Sequence, residues 1–243
     1  MTRPLLVVFA LFFATDFFTS CNKSDPGPTA LASADSISGI LTSTHVVVDS
    51  VDWGSPFEAE VADARFFTTP GGAKTTLVEN VLANRYPLLI NYDSSGYTFV
   101  DVVNGLATMA GNCNWHVIDN NVIPNFSFTY SVPYPTFTGT LPDTITRSAG
   151  AVFHFNFGDA DSAIISFAPD TTLLWHESVS RKFPGNSTTQ TFSASDLAVL
   201  RPSFPEQNPD IRLRVFKSSL QVFDGKVFAF SKIHEHFRRV WVR

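Results

Sequence analysis

The hexapeptide VFDGKV, residues 222–227, decides how this chain is read. Asp224-Gly225 stands between two apolar runs, and an Asp-Gly pair favours the tight mirror-image hairpin turn, in which both central residues take positive φ. The flanking runs, 211–223 and 226–242, are therefore expected to be two paired strands. Further back, AVFHFNFGDADSAIISF at 151–167 puts Phe153, Phe155 and Phe157 on one face and Val152, His154 and Asn156 on the other. That is the period of two of a half-buried strand.

The same grammar runs through the rest of the chain. Short alternating or apolar runs broken by Gly, Pro, Asn and Asp recur, while amphipathic helical patterns of about ten residues or more are scarce. Strands are expected at 45–51, 57–68, 75–82, 86–92, 97–103, 114–118 and 122–130, and then at 151–157, 162–168, 172–179 and 188–192 ahead of the hairpin. One helical turn is expected at Ser195–Leu200, capped by Ser195 and ended by Pro202. The fold class is all-β with minimal helix: two immunoglobulin-like or related antiparallel β-sandwich units. The Pro-rich stretch around Pro133 and Pro135 sets the border, giving an N-terminal β domain at 43–132 and a C-terminal sandwich at 133–243. One continuous large sandwich is the alternative.

Composition narrows the chemistry. The net charge of −5 is spread without a basic stripe, which argues against a nucleic-acid partner. With two cysteines, Cys21 and Cys113, there is no disulfide framework of the small secreted type, so the fold has to rest on its apolar core. The 24 phenylalanines supply that core.

The N-terminus reads as an export signal. An apolar stretch from Leu5 to Ala14 follows Arg3, too short to cross a bilayer as a helix, and leads to the small residues Thr19 and Ser20 before Cys21. Residues 1–20 form the signal peptide in this reading, and 21–42 form a flexible tether rich in Ser, Ala, Asp, Pro, Gly and Thr. The run Phe18-Thr19-Ser20-Cys21 resembles the lipobox of bacterial lipoproteins, with Phe18 in place of the usual Leu. Asn22 to Pro28 resembles the tethers of Bacteroidota lipoproteins. LPDTITRSAGAVFHFNFGDADSAIISF at 141–167, followed by TTQTFSASDLAVL at 188–200, is similar to the C-terminal β-sandwich half of uncharacterised members of that group, over about 131–243. The resemblance implies acylation of Cys21, which makes it a membrane tether. It also implies an outer-membrane address in the cell envelope, with the membrane face left open, and it carries no catalytic residue. A plain signal peptide with an incidental cysteine, or a short membrane anchor, is the alternative.

No motif names a reaction. GGAKTT at 71–76 lacks the glycines of a phosphate loop and reads as a hairpin loop. GDADS at 158–162 offers Asp159 and Asp161 to calcium, but lacks the terminal acidic ligand and reads as a turn. His234 and His236 in HEH share one face of a strand with Glu235 on the other, which begins a metal site. Catalytic zinc needs a third ligand, and His154 and His176 are the central-strand histidines that could supply it; the alternative is two histidines on a solvated edge. Cys113 reads as a small buried thiol. Trp53, Trp115, Trp175 and Trp241, with Tyr86, Tyr92, Tyr97 and Tyr134, could include a flat platform for stacking on sugar rings, but most of them read as core or sheet-face packing. Trp53 beside Gly54 and Tyr134 between two prolines are the ones expected to be exposed as ligand platforms. Trp115 and Trp175 read as core. The expected function is a non-catalytic, membrane-tethered binding or structural module, with polysaccharide as the first ligand class and no cofactor. An adhesion or assembly protein that binds a partner through a sheet edge is the second reading. A metal-dependent hydrolase at His234 and His236 is the third.

Overall fold

The computed structural model describes residues 36–49, 57–69, 75–101, 109, 111–119, 121–168, 179–200, 202–203 and 210–243. The signal peptide, most of the tether, Cys21, Trp53, Trp175, His176, the glycines of GGAKTT and the bulk of the expected strand 172–179 lie outside them. The described residues form an all-β protein, as the alternation requires.

The strands in chain order are β1 (Ile37–Asp49), β2 (Phe57–Phe67), β3 (Thr75–Thr76), β4 (Asn80–Ala83), β5 (Tyr86–Pro87), β6 (Leu89–Ile90), β7 (Tyr97–Asp101), β8 (Cys113–Ile118) and β9 (Phe126–Tyr130). Then come β10 (Thr144–Ile145), β11 (Ala151–Phe153), β12 (Ser162–Ala168), β13 (Val179–Pro184), β14 (Gln190–Phe192), β15 (Asp210–Phe223), β16 (Lys226–Arg239) and β17 (Trp241–Val242). The single described α-helix, α1 (Ala194–Leu197), precedes β15.

Two compact units emerge. The first draws on the described residues of Met1–Thr44, Ala59–Pro133 and Ser218–Lys232, and the second on those of His45–Glu58, Tyr134–Lys217 and Ile233–Arg243. The longest segments of the two units meet between Pro133 and Tyr134, and β1, β2, β15 and β16 each contribute residues to both units. Contiguous domains cut at one residue are therefore too simple a description.

In the first unit, one sheet runs β16-β1-β2-β7-β6, with β3 pairing β2, and a second runs β5-β4-β8-β9. Phe126 and Phe128 of β9 lie 4.8 and 4.4 Å, ring to ring, from Phe228 and Phe230 of β16, so the two sheets face each other across an aromatic core. Trp115, Val81, Phe66 and Leu41 are buried in this unit. β1 begins well before residue 45, correcting the tether drawn to residue 42. Its inward residues include Gly39, where a Cβ would come within 2.8 Å of Phe228, and the buried Leu41. Small and hydroxyl residues disguise this strand as linker, but they are what the close approach of β1 to Phe228 demands.

In the second unit the order is β13-β12-β15-β16, and β12 is antiparallel to both of its neighbours. Above its inner face lie the pair β11-β14, the parallel pair β10-β17 and α1. Phe153, Phe155, Phe157, Ile165, Phe167, Phe192, Ile211, Leu213 and Val215 make one buried cluster, with the three phenylalanines on one face as their spacing predicts. The helix cap differs from expectation by two residues: Ser193 is the N-cap, and Asp196 closes a reciprocal capping box. Asp224 and Gly225 both take positive φ, 47° and 73°, so the hairpin turn is of the mirror-image type.

Phe192 is 1% exposed, and its ring meets Phe167 edge-on at 5.1 Å. Phe192→Ala is expected to cost about 3–5 kcal/mol in urea unfolding. Val152→Ala, at an exposed site, should change stability by less than about 0.5 kcal/mol.

Candidate functional site

Three of the exposed large hydrophobic side chains among the described residues lie at the end of the first unit's larger sheet. The segment from Tyr86 to Ile90 changes sheets midway. Tyr86 and Pro87 pair with β4 as β5, Leu88 turns inward and its amide donates to the Val81 carbonyl at 2.9 Å, and Leu89 and Ile90 then pair with Thr98 and Tyr97 as β6. Among the described residues, β6 is the terminal strand. Leu89 is 73% exposed and Ile90 is 55% exposed. Successive strand residues point to opposite faces, so neither face of this edge is covered by another layer.

The adjoining turn is firmly held. Asn91 donates to the Gly96 carbonyl and Ser94 to the Asn91 carbonyl, each at 2.9 Å, while the Ser95 amide donates to Asp93 Oδ1 at 2.9 Å. Arg65 on β2 donates to Ser95 Oγ at 3.2 Å. The Ser95 hydroxyl and amide hold the Asp93 carboxyl below its ordinary range, with Arg65 adding to the effect. Gly96 permits the close approach of this turn to β2, since a Cβ there would lie 2.7 Å from the Ala64 carbonyl oxygen. From this turn Tyr92 projects wholly into solvent. Leu89 and Ile90, on opposite faces of β6, and Tyr92 on the turn thus leave three large side chains exposed along an edge segment that carries no lysine or arginine.

The contrast with the other terminal strand is informative. β13 in the second unit exposes Ser180, Arg181 and Lys182, the charged kind of edge that discourages strand pairing. β6 carries no such charge, and only its short length, two residues, limits pairing there.

The remaining expected site residues fall elsewhere. Tyr134 is half-buried, with its phenolic oxygen shielded from solvent and its ring 5.6 Å from that of His45, so it is not an open stacking surface. His234 and His236 do share one face of β16, but this strand is interior to its sheet and both rings are half-buried, which removes the solvated-edge reading. Their rings lie 5.3 and 5.7 Å from Phe137, and His234 Nδ1 is 3.2 Å from the Pro135 carbonyl oxygen. Glu235 on the opposite face is buried 3.4 Å from Arg212 Nε. His154 is exposed, and among the described residues no three His, Cys, Asp or Glu side chains are placed so that they could hold a metal ion. At GDADS a lysine supplies the cation: Lys217 Nζ lies 3.4 Å from Asp159 Oδ2 and 3.9 Å from Asp161 Oδ1.

Cys113 is fully buried in the first unit. Near it Lys232, also fully buried, donates to the Met109 carbonyl, and the Met109 amide donates to Glu60 Oε2 at 2.5 Å. Burial pushes the Cys113 thiol up to about 11, against the pull of the Lys232 ammonium. Burial likewise lowers Lys232 from the ordinary lysine value, opposed by Glu60. The buried ammonium was not legible in the sequence, where Lys232 sits in SKIHEH like any surface lysine.

No known protein family, curated protein or solved structure matches this chain. The thiol gives a direct check on the burial just described. An aromatic disulfide reagent at pH 8 should leave native Cys113 unmodified over a time in which the guanidinium-unfolded chain reacts fully. Equal rates in the two states would contradict a buried, protonated thiol.

Proposed function

We propose that this protein is a non-catalytic lipoprotein of the outer membrane, tethered through acylated Cys21, that presents immunoglobulin-like β units and captures a partner protein by strand addition along β6. The observation that carries the reading is the exposure of Leu89 and Ile90 on a strand that is terminal among the described residues and free of positive charge, and of Tyr92 on the adjoining turn. An extended segment laid beside β6 would gain main-chain hydrogen bonds, and the three apolar side chains would give it shallow contacts on both faces of the edge. The held turn favours this, because little conformational freedom at Tyr92 is lost on binding.

A second reading rests on Tyr92 alone. Its fully exposed ring, with Asn91, Asp93 and Ser95 beside it, has the makeup of a sugar-stacking platform, a flat ring flanked by hydrogen-bonding groups. Glycan capture at the same turn therefore remains the alternative ligand class.

The two readings separate by mutation. A photo-crosslinking residue at position 89 in intact cells should yield one adduct that is absent when the same group is placed at Val152 and is lost with Ile90→Lys. Equal labelling from both positions, or none from either, would sink the strand-addition reading. Retardation of the chain in polysaccharide gels that is abolished by Tyr92→Ala and spared by Ile90→Lys would move the assignment to glycan.

The tether has its own test. Cells fed an alkyne fatty acid should label the wild-type chain and not Cys21→Ala, and the variant should leave the membrane pellet. An unlabelled wild-type chain would exclude the lipid anchor.

A further inference from the structure

The second unit holds a feature that the proposed binding role does not use. Three imidazoles, His45 on β1 and His234 and His236 on β16, lie beneath the segment that enters this unit at Tyr134. The rings of His45 and His234 meet edge-on at 5.3 Å. Tyr134 lies over His45, the Pro135 carbonyl takes the Nδ1 proton of His234, and Phe137 packs against both His234 and His236. Immediately afterwards the chain is pinned, because Thr138 and Asn156 exchange two backbone hydrogen bonds of 2.8 and 3.0 Å. Beyond that point, Arg238 donates to the Leu141 carbonyl at 2.9 Å and pairs with Asp143. Residues 134–137 are thus seated on histidine rings, with Phe137 also meeting Phe155 edge-on at 5.9 Å at the margin of the buried cluster, and with a fixed point directly behind them.

We propose that residues 134–137 form an acid-released strap, seated on neutral His234 and lifted when that imidazole takes up a proton. The Nδ1–H bond to Pro135 fixes the tautomer, so an incoming proton goes to Nε2, inside a nest of aromatic rings. The surrounding charges decide the sign. Like charge on His45 or His236 disfavours a proton on His234, and Arg238 beside His236 is already positive. Asp49 lies on the side of His236 and Arg238, at 4.0 and 3.7 Å, and Asp143 is engaged by Arg238. Tyr134 offers a neutral phenol. Among the described residues no carboxylate pairs with His234 itself, so the charge is unwelcome there.

The pH window follows from the direction of the shift. Burial, with a further contribution from His45 and His236, lowers His234 from 6.5 to about 4, while the Pro135 hydrogen bond opposes this. Burial lowers His236 as well, and Arg238 reinforces it against Asp49. A lifted strap returns His234 to its ordinary value. The seated form is therefore fully favoured above about pH 6.5 and loses ground as pH falls towards about 4. For a group only partly shielded, the open fraction is expected to rise on the order of tenfold between pH 7.5 and pH 5.

Hydroxyl-radical footprinting of the full chain at these two pH values tests the strap. Oxidation of Tyr134 and Phe137 should rise several-fold at pH 5, while that of buried Phe153 and Phe167 stays constant, and His234→Phe should abolish the rise. Constant oxidation of Tyr134 and Phe137, or a rise that persists in His234→Phe, would overturn the proposal. Should that variant fail to fold, imidazole NMR of the wild type replaces it. Titration of His234 well below 6.5, with Phe137 resonances moving in step, supports the strap; titration near 6.5 with Phe137 unmoved refutes it.

Discussion

The pleat of β16 is the constraint on which the rest of the structure depends. Successive residues of a strand point to opposite faces, so the even-numbered positions Phe228, Phe230, Lys232, His234, His236 and Arg238 form one row, and Ile233, Glu235 and Phe237 form part of the other. In the first unit the even row delivers two phenylalanines to the aromatic core and then a lysine with no access to water. In the second it delivers imidazoles to the underside of residues 134–137. A slip of one residue in register would bury Ser231 where Phe230 belongs and send the phenylalanines to the opposite face. The Asp224-Gly225 turn prevents this by fixing the pairing of β15 and β16 from one end.

Buried polar groups in this protein are handled in two ways. Lys232 and Glu60 are each bound to the backbone of Met109, the ammonium to its carbonyl and the carboxylate to its amide. This satisfies two main-chain groups and two side chains at once, which lessens the penalty for taking charge out of water. Arg212 and Glu235 are instead paired across neighbouring strands, and the Arg212 guanidinium also lies 4.6 Å from the centre of the Phe237 ring. Both arrangements restrict which register the long strands can adopt, because a shifted strand would leave a buried charge without its partner.

The candidate binding surface shows the opposite economy. At β6 the protein leaves apolar side chains in water next to a turn held by five or more hydrogen bonds from its own backbone and from Arg65 and Thr98. At β13 it places charge on the terminal strand. The two terminal strands thus differ in kind, charged at β13 and short and apolar at β6. The sequence concealed this. Leu88, Leu89 and Ile90 form a continuous apolar run, which reads as a strand buried on both faces, and only the switch of sheets at Leu88 turns the first inward and leaves the next two outside.

The sequence by itself determined the all-β class, the Asp224-Gly225 hairpin, the shared face of Phe153, Phe155 and Phe157, and the shared face of His234 and His236. Each of these follows from local rules, the period of the pleat or the backbone demands of a two-residue turn, and needs no knowledge of distant residues. Tertiary structure decided the rest. It made 37–44 a strand, because Gly39 and its small neighbours suit close contact with Phe228, a partner far along the chain. It divided β1, β2, β15 and β16 between two units, buried Lys232, placed Tyr134 against His45 and exposed Leu89 and Ile90. None of these is written in a residue's near neighbours, since burial is fixed by which strands lie alongside and above, and that is set by pairing over long separations in sequence.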